Sequence, residues 1–303
     1  MILEKLENNH RLTISKHQIK LNYILYYILK AYALLPMFAI NSIGKKLAFL
    51  LKLFSYRKHT IENNLKMVFP NKSQQERTII KTRFYNYFGH LLAECIKLFG
   101  LSENLIKKRI TFKNDDTIID YLKQQKDIIV VLGHYGNWEW AFLAASLHFK
   151  AEMVGIYKPL SSPFWNNKIK MVRSQFGATL LSMKESLRYL LKKGNRPRLI
   201  GIIGDQTPSA DELNYWINFL NQKTPVFLGA ERLAKKLNCP VFYANIIPKS
   251  HSNYEIRFEL ITDTPNQYSQ KEITNLYSQQ LENNIKKHPA YWLWSHRRWK
   301  HQK

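Results

Sequence analysis

The chain has 303 residues, and 45% of them are hydrophobic, which suits one large folded domain and excludes a disordered chain. Its 46 Lys and Arg residues outnumber its 22 Asp and Glu residues, for a formal net charge of +24. Such a charge indicates an anionic partner, namely a membrane surface, an acidic protein or a nucleic acid, with a basic but unspecialised surface as the alternative. Because the basic residues form dispersed pairs and no zinc-finger, basic-zipper or RNA-recognition pattern occurs, a dedicated nucleic-acid-binding protein is disfavoured.

The N-terminal part of the chain divides into a polar and an apolar segment. Residues 1–21 are polar and predict an N-terminal extension, whereas residues 22–57 are apolar and rich in aromatic side chains. The longest uncharged run, residues 31–44, is shorter than the roughly 20 residues that a membrane-spanning helix requires. No small-residue cleavage site follows a charged start, so a secretory signal is not expected. Interspersed lysines favour helices that lie in a membrane interface, and an ordinary packed helical hairpin is the alternative.

The remaining residues, 58–303, are predicted to form a single α/β domain. The stretch 58–127 indicates helices, with Ser73 and Glu76 in the pattern of a capping box and a helix over 76–98 that ends at Gly100. From residue 128 onward, short apolar runs predict strands at 128–133, 153–157, 180–182, 199–204, 240–247 and 254–261. Helices are predicted between or after them, over 162–177, 184–193, 229–238 and 270–287. This alternation predicts a largely parallel sheet flanked by helices.

The two cysteines indicate neither a metal site nor a nucleophile. Cys95 and Cys239 lie in apolar surroundings, and neither has a second cysteine at CxxC spacing. We therefore expect two small buried hydrophobic side chains in a reducing compartment.

One short motif predicts chemistry. His134 and Glu139 lie five positions apart in Gly133-His-Tyr-Gly-Asn-Trp-Glu139, directly after a predicted strand. Chance alone supplies about 0.7 such pairs in a chain of this composition, so the spacing is weak without its context. The strand end and the flanking Gly133 and Gly136 strengthen it, because α/β proteins place their sites there. We expect His134 to act as a general base and Glu139 to bond the other imidazole nitrogen.

Further segments, in order along the chain, give the motif a family context. The chain from about residue 22 to 300 resembles the lipid A secondary acyltransferases, the lauroyl and myristoyl transfer branch of the lysophospholipid acyltransferase group. Besides His134-x4-Glu139, the matching elements are Tyr157-Lys158-Pro159, Arg173-x3-Gly177, Gly204-Asp205-Gln206 and Trp294-x-His296-Arg297-Arg298-Trp299. One element departs from the family pattern, since Asn221 stands where a glycine is usual and Thr224 follows nearby. That loop is expected to line the acyl or acceptor pocket.

The resemblance implies a reaction without a covalent acyl-enzyme. It implies an acyl chain taken from acyl carrier protein and passed to a hydroxyl of lipid A or its precursor, at the cytoplasmic face of the inner membrane. No metal or cofactor is expected. Besides the catalytic pair His134 and Glu139, the expected substrate-binding residues are Gly136, Asn137, Lys158, Arg173, Asp205, Gln206, Thr224, Arg297 and Arg298.

Individual roles also follow from the resemblance. A backbone N–H near Gly136 or a cationic side chain is a candidate for oxyanion stabilisation. Arg173, Arg297 and Arg298 are candidates for lipid phosphates, with surface or structural ion pairs as the alternative. Asp205 is expected to orient Arg173 or a loop, and a cap of the next helix is the alternative. Two alternatives stay open: the same chemistry on an aminolipid, another glycolipid or a polyene, and a non-catalytic basic protein that binds a membrane or nucleic acid.

Overall fold

A mostly parallel sheet of seven strands forms the centre of the protein, as the computed structural model shows for residues 16–192, 194–208, 213, 215–250 and 252–301. The strand order is β1-β9-β8-β2-β5-β3-β4, and only β8 and β9 run antiparallel to each other. The strands are β1 (Ile110–Lys113), β2 (Ile128–Leu132), β3 (Glu152–Tyr157), β4 (Thr179–Ser182), β5 (Arg198–Ile203), β8 (Val241–Ser250) and β9 (Asn253–Thr262). A separate hairpin consists of β6 (Trp216–Phe219) and β7 (Gln222–Pro225).

Helices surround the sheet, which confirms the predicted α/β architecture. They are α1 (Lys16–Leu34), α2 (Met37–Leu53), α3 (Lys58–Val68), α4 (Gln74–Lys97), α5 (Glu103–Arg109), α6 (Asp116–Lys123), α7 (Trp138–His148), α8 (Pro163–Arg173), α9 (Met183–Leu190), α10 (Gly229–Leu237) and α11 (Glu272–Lys287). The predicted capping box is present at α4, where the Ser73 hydroxyl accepts from the Glu76 N–H and the Glu76 carboxylate accepts from the Ser73 N–H.

Strand β2 shows why the sheet needs helices on both faces. Its side chains alternate between two hydrophobic clusters, so Ile129 and Val131 face the cluster that contains Leu281 of α11. Ile128 and Val130 face the cluster that contains Trp140 of α7. A parallel strand that is apolar on both faces is buried on both faces, and β2 is therefore central.

Two strand regions were not predicted. The segment 58–127 was expected to be helical, yet it contains β1, which pairs with β9 at the edge of the sheet. Four residues are too few to show a strand periodicity in the sequence. The β6–β7 hairpin was also missed, because its turn uses Leu220 and Asn221 with φ of 52° and 62° rather than a glycine.

The N-terminal helices belong to the same core as α4. Gly89 of α4 lies against the backbone of Ala48 in α2, where a side chain would collide. The ammonium of Lys97, at the end of α4, is buried and donates to the carbonyls of Ala33 and Leu35 at 2.5 and 2.8 Å. The turn between α1 and α2 is therefore clamped to the domain.

The outer faces of α1 and α2 are apolar and exposed. Leu34 and Phe38 are 79% and 75% exposed, and further exposed side chains include Leu21, Ile24, Tyr27, Ile28, Phe49, Leu53 and Phe54. In the described part of the chain, none of the helices has the length and apolar character needed to cross a membrane. Helix α1 begins at Lys16, inside the predicted polar extension, and the rest of that extension lies outside the described residues.

Candidate active site

Two neighbouring parallel strands bring the central residues of the site together. His134 follows β2 and Asp205 follows β5, and the last residues of these strands, Leu132 and Ile203, are partners in register. The Gly204 N–H continues the pairing by donating to the Leu132 carbonyl. The carboxyl ends of adjacent parallel strands meet at one edge of a sheet, where α/β proteins hold their ligands.

His134 is bonded to Asp205 through both its ring and its backbone. The distance from His134 Nδ1 to Asp205 Oδ1 is 2.6 Å, and the His134 N–H donates to Asp205 Oδ2 at 2.8 Å. Trp292 Nε1 also donates to Oδ2 at 2.8 Å. Burial raises the pKa of Asp205, but the charge of His134 and these hydrogen bonds outweigh it and lower that pKa to about 2. Asp205 is therefore a carboxylate at every physiological pH.

An ionised carboxylate next to Nδ1 fixes the imidazole tautomer. Because the carboxylate only accepts, Nδ1 of the neutral ring carries the proton and Nε2 carries the lone pair. Nε2 lies 3.1 Å from the exposed amide nitrogen of Gln206, which donates to it. The Trp138 ring contacts the imidazole edge-on at 4.8 Å between centroids. The basic nitrogen of His134 thus points to the open side of the site.

The predicted contact between Glu139 and His134 is wrong. Both oxygens of Glu139 bind Arg173, which donates from Nε at 2.8 Å and from Nη2 at 2.5 Å. Glu139 lies in the first turn of α7 and faces the C-terminal end of α8, so it is directed toward that helix rather than back to the ring. Asp205 was expected to orient Arg173 or a loop, and the first alternative is wrong, since Asp205 binds His134 and Trp292. The second is consistent with the structure, because Asp205 accepts the backbone N–H of His134 in the loop after β2.

The loop after His134 is held by buried groups. Gly136 has φ of +66°, and a side chain there would collide with Ile246, so glycine is required. Its N–H donates to the Tyr291 carbonyl at 3.2 Å, and its carbonyl accepts from Tyr87 Oη at 2.6 Å. The predicted oxyanion donor at Gly136 is therefore engaged within the protein.

Asn137 caps α7 instead of facing solvent. Its side-chain oxygen accepts from the Trp140 N–H at 3.0 Å, and its amide nitrogen donates to Glu94 Oε2 at 2.7 Å. Glu94 also accepts from Tyr254 Oη at 2.6 Å. Both Asn137 and Glu94 are buried, so Asn137 supports the loop and does not reach a substrate in this arrangement.

The C-terminal motif splits into an exposed and a buried arginine. Arg297 is exposed and, with Ser55, Arg57, Lys58, His59 and Thr60, lines an open cleft of about 530 Å³. Arg298 is only 1% exposed, which corrects the expectation that it contacts lipid phosphates. Trp292, in the same C-terminal stretch, is buried in the core and also donates to Asp205.

Two further predicted substrate-binding residues differ in their exposure. Thr224 is buried, and its hydroxyl accepts from Trp299 Nε1 at 2.8 Å and donates to the Gln222 carbonyl at 2.9 Å. It holds the β6–β7 hairpin against the C-terminal tryptophans. Lys158 is exposed directly after β3.

Sequence reasoning missed three members of the site: the role of Asp205 as the partner of His134, the bond from Trp292, and the support by Glu94. The hydrogen-bond partners of His134 are 71 or more residues away in sequence, so only the strand order reveals them. Among the described residues, no group of three or more His, Cys, Asp or Glu side chains is placed to hold a metal ion.

Comparison with known proteins agrees with the motifs. The model of the family described as bacterial lipid A biosynthesis acyltransferase matches residues 9–301. A Haemophilus influenzae protein named lipid A biosynthesis acyltransferase is 25% identical to this chain over 254 residues, which cover 82% of this chain and 79% of that protein.

Proposed function

Because this chain belongs to the family of bacterial lipid A biosynthesis acyltransferases, we propose that it moves a fatty acyl chain from acyl carrier protein to a hydroxyl of a lipid A precursor. The observation that carries the mechanism is the His134–Asp205 pair at the edge of the sheet. The family membership identifies an acyltransferase of lipid A synthesis, whereas the donor, the acceptor hydroxyl and the membrane location belong to the proposal.

His134 is the general base in this proposal. Its Nε2 carries a lone pair and faces the open side, and Asp205 stabilises the imidazolium that forms when Nε2 takes a proton. The acceptor hydroxyl takes the position at Nε2 that the Gln206 amide fills at 3.1 Å. Gln206 is exposed and turns away without loss of packing.

The transfer then proceeds in two steps. Nε2 removes the hydroxyl proton while the oxygen attacks the thioester carbonyl carbon, which forms a tetrahedral oxyanion. The oxyanion collapses, the carbon–sulfur bond breaks, and the imidazolium returns its proton to the leaving thiolate. The products are the ester and the free thiol, and His134 is neutral again.

The oxyanion needs hydrogen-bond donors close to His134. The first turn of α7 supplies them, because the N–H groups of Trp138 and Glu139 have no acceptor within their own helix. The positive end of the helix dipole adds to the same effect. Asn137 and Glu94 fix the start of this helix and so hold these donors in place.

The Glu139–Arg173 pair forms the wall of the site next to α7. Its side chains are 12% and 31% exposed, so the two charges are largely removed from water. We assign it the role of holding α7 against α8 beside the acyl group, rather than proton transfer. Both the partner and the role of Glu139 therefore differ from those that the sequence predicted.

Charge and apolar surface support a membrane-bound enzyme with an acidic donor. The net charge of +24 suits both an acidic carrier protein and the anionic cytoplasmic face of the inner membrane. The apolar faces of α1 and α2 suit the membrane interface. The cleft formed by Arg57, Lys58, His59 and Arg297 adjoins the exposed Phe54, and we assign it to an acceptor phosphate.

A transfer assay with the purified full chain tests the proposal. Acylated carrier protein and an under-acylated lipid A precursor are incubated in detergent, and mass spectrometry follows the gain of one acyl chain. We expect transfer by the wild type and a loss of at least about 100-fold in His134→Ala, since a general base contributes about 10²- to 10⁴-fold.

The matched control is His148→Ala. His148 also bonds an aspartate, with 2.6 Å between Nε2 and Asp115 Oδ2, but it lies at the opposite end of α7. Its substitution should leave transfer within about twofold of wild type. Near wild-type kcat in a folded His134→Ala protein would refute the mechanism, and no gain of an acyl chain in any lipid A precursor would refute the acceptor.

A further inference from the structure

A buried arginine behind the catalytic pair has donors without partners. Arg298 is 1% exposed, and within the described structure its Nε and Nη1 atoms have no hydrogen-bond acceptor. The buried hydroxyl of Tyr277 also has no partner with regular hydrogen-bond geometry there, and Thr274 is the side chain that interacts with it. An unsatisfied buried polar group costs about 1–3 kcal/mol, so three such atoms close to the active site call for a ligand.

A small cavity links these atoms to the catalytic carboxylate. It is lined by Gly204, Asp205, Tyr277 and Arg298, among others, and has a volume of about 10 Å³. This is the space of one water molecule and too small for any part of a lipid. An anion is disfavoured, because the Asp205 carboxylate borders the same cavity.

Arg298 and Asp205 influence each other without direct contact. Among the described residues, Arg298 forms no ion pair within 4 Å. Burial nevertheless lowers the pKa of Arg298 to about 10, and the charge of Asp205 opposes that decrease. Because the two groups line the same cavity and form no ion pair within 4 Å, one molecule can bridge the two charges.

We infer that Arg298 is a positioning residue that acts on His134 through Asp205, by way of one buried water held by the guanidinium, the Tyr277 hydroxyl and the carboxylate. The catalytic part of this inference rests on the proposed function. The water accepts from the guanidinium of Arg298 and donates to the carboxylate of Asp205.

The other buried titratable groups around Arg298 and Asp205 are neutral at physiological pH. Burial lowers the pKa of His296 to about 4 and raises that of Tyr277 to about 12. Burial also raises the pKa of Tyr243 well above its ordinary value. Lys300 is exposed and therefore screened by water. Arg298 is thus the buried cation that lines the cavity beside Asp205.

The test compares Arg298→Met, which removes the charge at similar volume, with Arg298→Lys, which keeps the charge. In the assay of acyl transfer, the acid limb of kcat/KM should move to higher pH by about one unit in Arg298→Met, because the imidazolium loses a repelling cation. It should move less than half as far in Arg298→Lys. A purely structural role would lower kcat without moving this limb.

A second readout does not depend on activity. The proton between His134 Nδ1 and Asp205 gives a downfield NMR resonance, identified by its loss in His134→Gln. Without Arg298 the carboxylate becomes a stronger acceptor, so the resonance should move further downfield in Arg298→Met and stay in place in Arg298→Lys. This shift, in a chain that transfers no acyl group, would refute the proposed function and support the positioning role.

A high-resolution crystal structure of the wild type covers the case in which Arg298→Met does not fold. We expect one ordered solvent molecule within hydrogen-bond distance of Arg298, Tyr277 and Asp205. A dry cavity, or a direct Arg298–Asp205 ion pair, would overturn the bridge. An unchanged resonance and an unchanged acid limb in folded Arg298→Met would overturn the role of Arg298.

Discussion

Replacing Asp205 with asparagine should invert the tautomer of His134 while the shape of the site is retained. Asp205 Oδ2 accepts two hydrogen bonds, from the His134 N–H and from Trp292 Nε1, whereas Oδ1 accepts one, from the imidazole. The single oxygen of an asparagine will therefore occupy the Oδ2 position. Its NH₂ group then faces Nδ1, which must accept, and the proton moves to Nε2.

The expected loss of activity follows from that geometry. A ring protonated at Nε2 cannot accept the hydroxyl proton, and the imidazolium also loses the charge that stabilises it. The flipped asparagine amide would instead direct its NH₂ group at two buried donors. Each hydrogen-bonding group left unsatisfied would cost about 1–3 kcal/mol of stability. We expect kcat to fall by about 10³- to 10⁴-fold, the scale on which an aspartate that fixes a catalytic histidine tautomer acts.

Steady-state transfer at saturating acceptor, together with circular dichroism, measures this effect. Asp115→Asn is the matched control, because Asp115 bonds His148 at 2.6 Å on the far side of the domain. That control should keep kcat within about twofold of wild type. A folded Asp205→Asn protein with more than a tenth of wild-type kcat would refute the tautomer argument.

Four other outcomes are expected. Glu139→Gln leaves the guanidinium of Arg173 without its carboxylate partner, which should lower the unfolding free energy by about 2 kcal/mol in chemical denaturation. The double substitution Glu139→Gln/Arg173→Gln should lower the unfolding free energy by less than the sum of the two single substitutions. His296 accepts a backbone N–H at Nε2, and burial lowers its pKa to about 4. As the pH falls, the unfolded chain therefore binds a proton at His296 before the folded chain does. The unfolding free energy should decrease from about pH 6.5 down to pH 4, and His296→Gln should remove this pH dependence. Phe38→Glu on the exposed face of α2 should shift the protein out of the membrane fraction, and Ile79→Glu, an exposed apolar site on α4, should not. With carrier protein as donor, kcat/KM should fall steeply as salt rises, whereas an uncharged thioester mimic should show little change, and equal slopes would contradict charge steering.

The central strands of the sheet were predictable because they are apolar runs next to a glycine or a proline, as β2 is before Gly133 and β8 is after Pro240. The run Ile128–Leu132 indicated a buried strand, and the residues after it indicated a site at the strand end. The strand order was not predictable, because β2 pairs with β5 and β8, both far away in the sequence. Periodicity reports which face of a strand is buried and does not report its neighbours.

The same limit explains the error in the predicted partner of His134. Glu139 was paired with His134 because the two are close in sequence, and no local pattern connects His134 with Asp205, 71 residues later. The Gly204-Asp205-Gln206 segment was recognised as part of the site, but its role depends on β5 lying next to β2. Likewise, two adjacent arginines, Arg297 and Arg298, have the same chemistry in the sequence and opposite exposure in the structure.

The clamp formed by Lys97 has a consequence for how a lipid reaches His134. Lys97 binds the turn between α1 and α2, and Glu94, one turn earlier on α4, holds Asn137 of the catalytic loop. Helix α4 therefore connects the surface assigned to the bilayer with the loop that carries His134. In the proposed membrane-bound enzyme, α1 and α2 rest on the bilayer, and this connection holds His134 at a constant height above the lipid headgroups. We expect that fixed height to decide which hydroxyl along the lipid reaches His134.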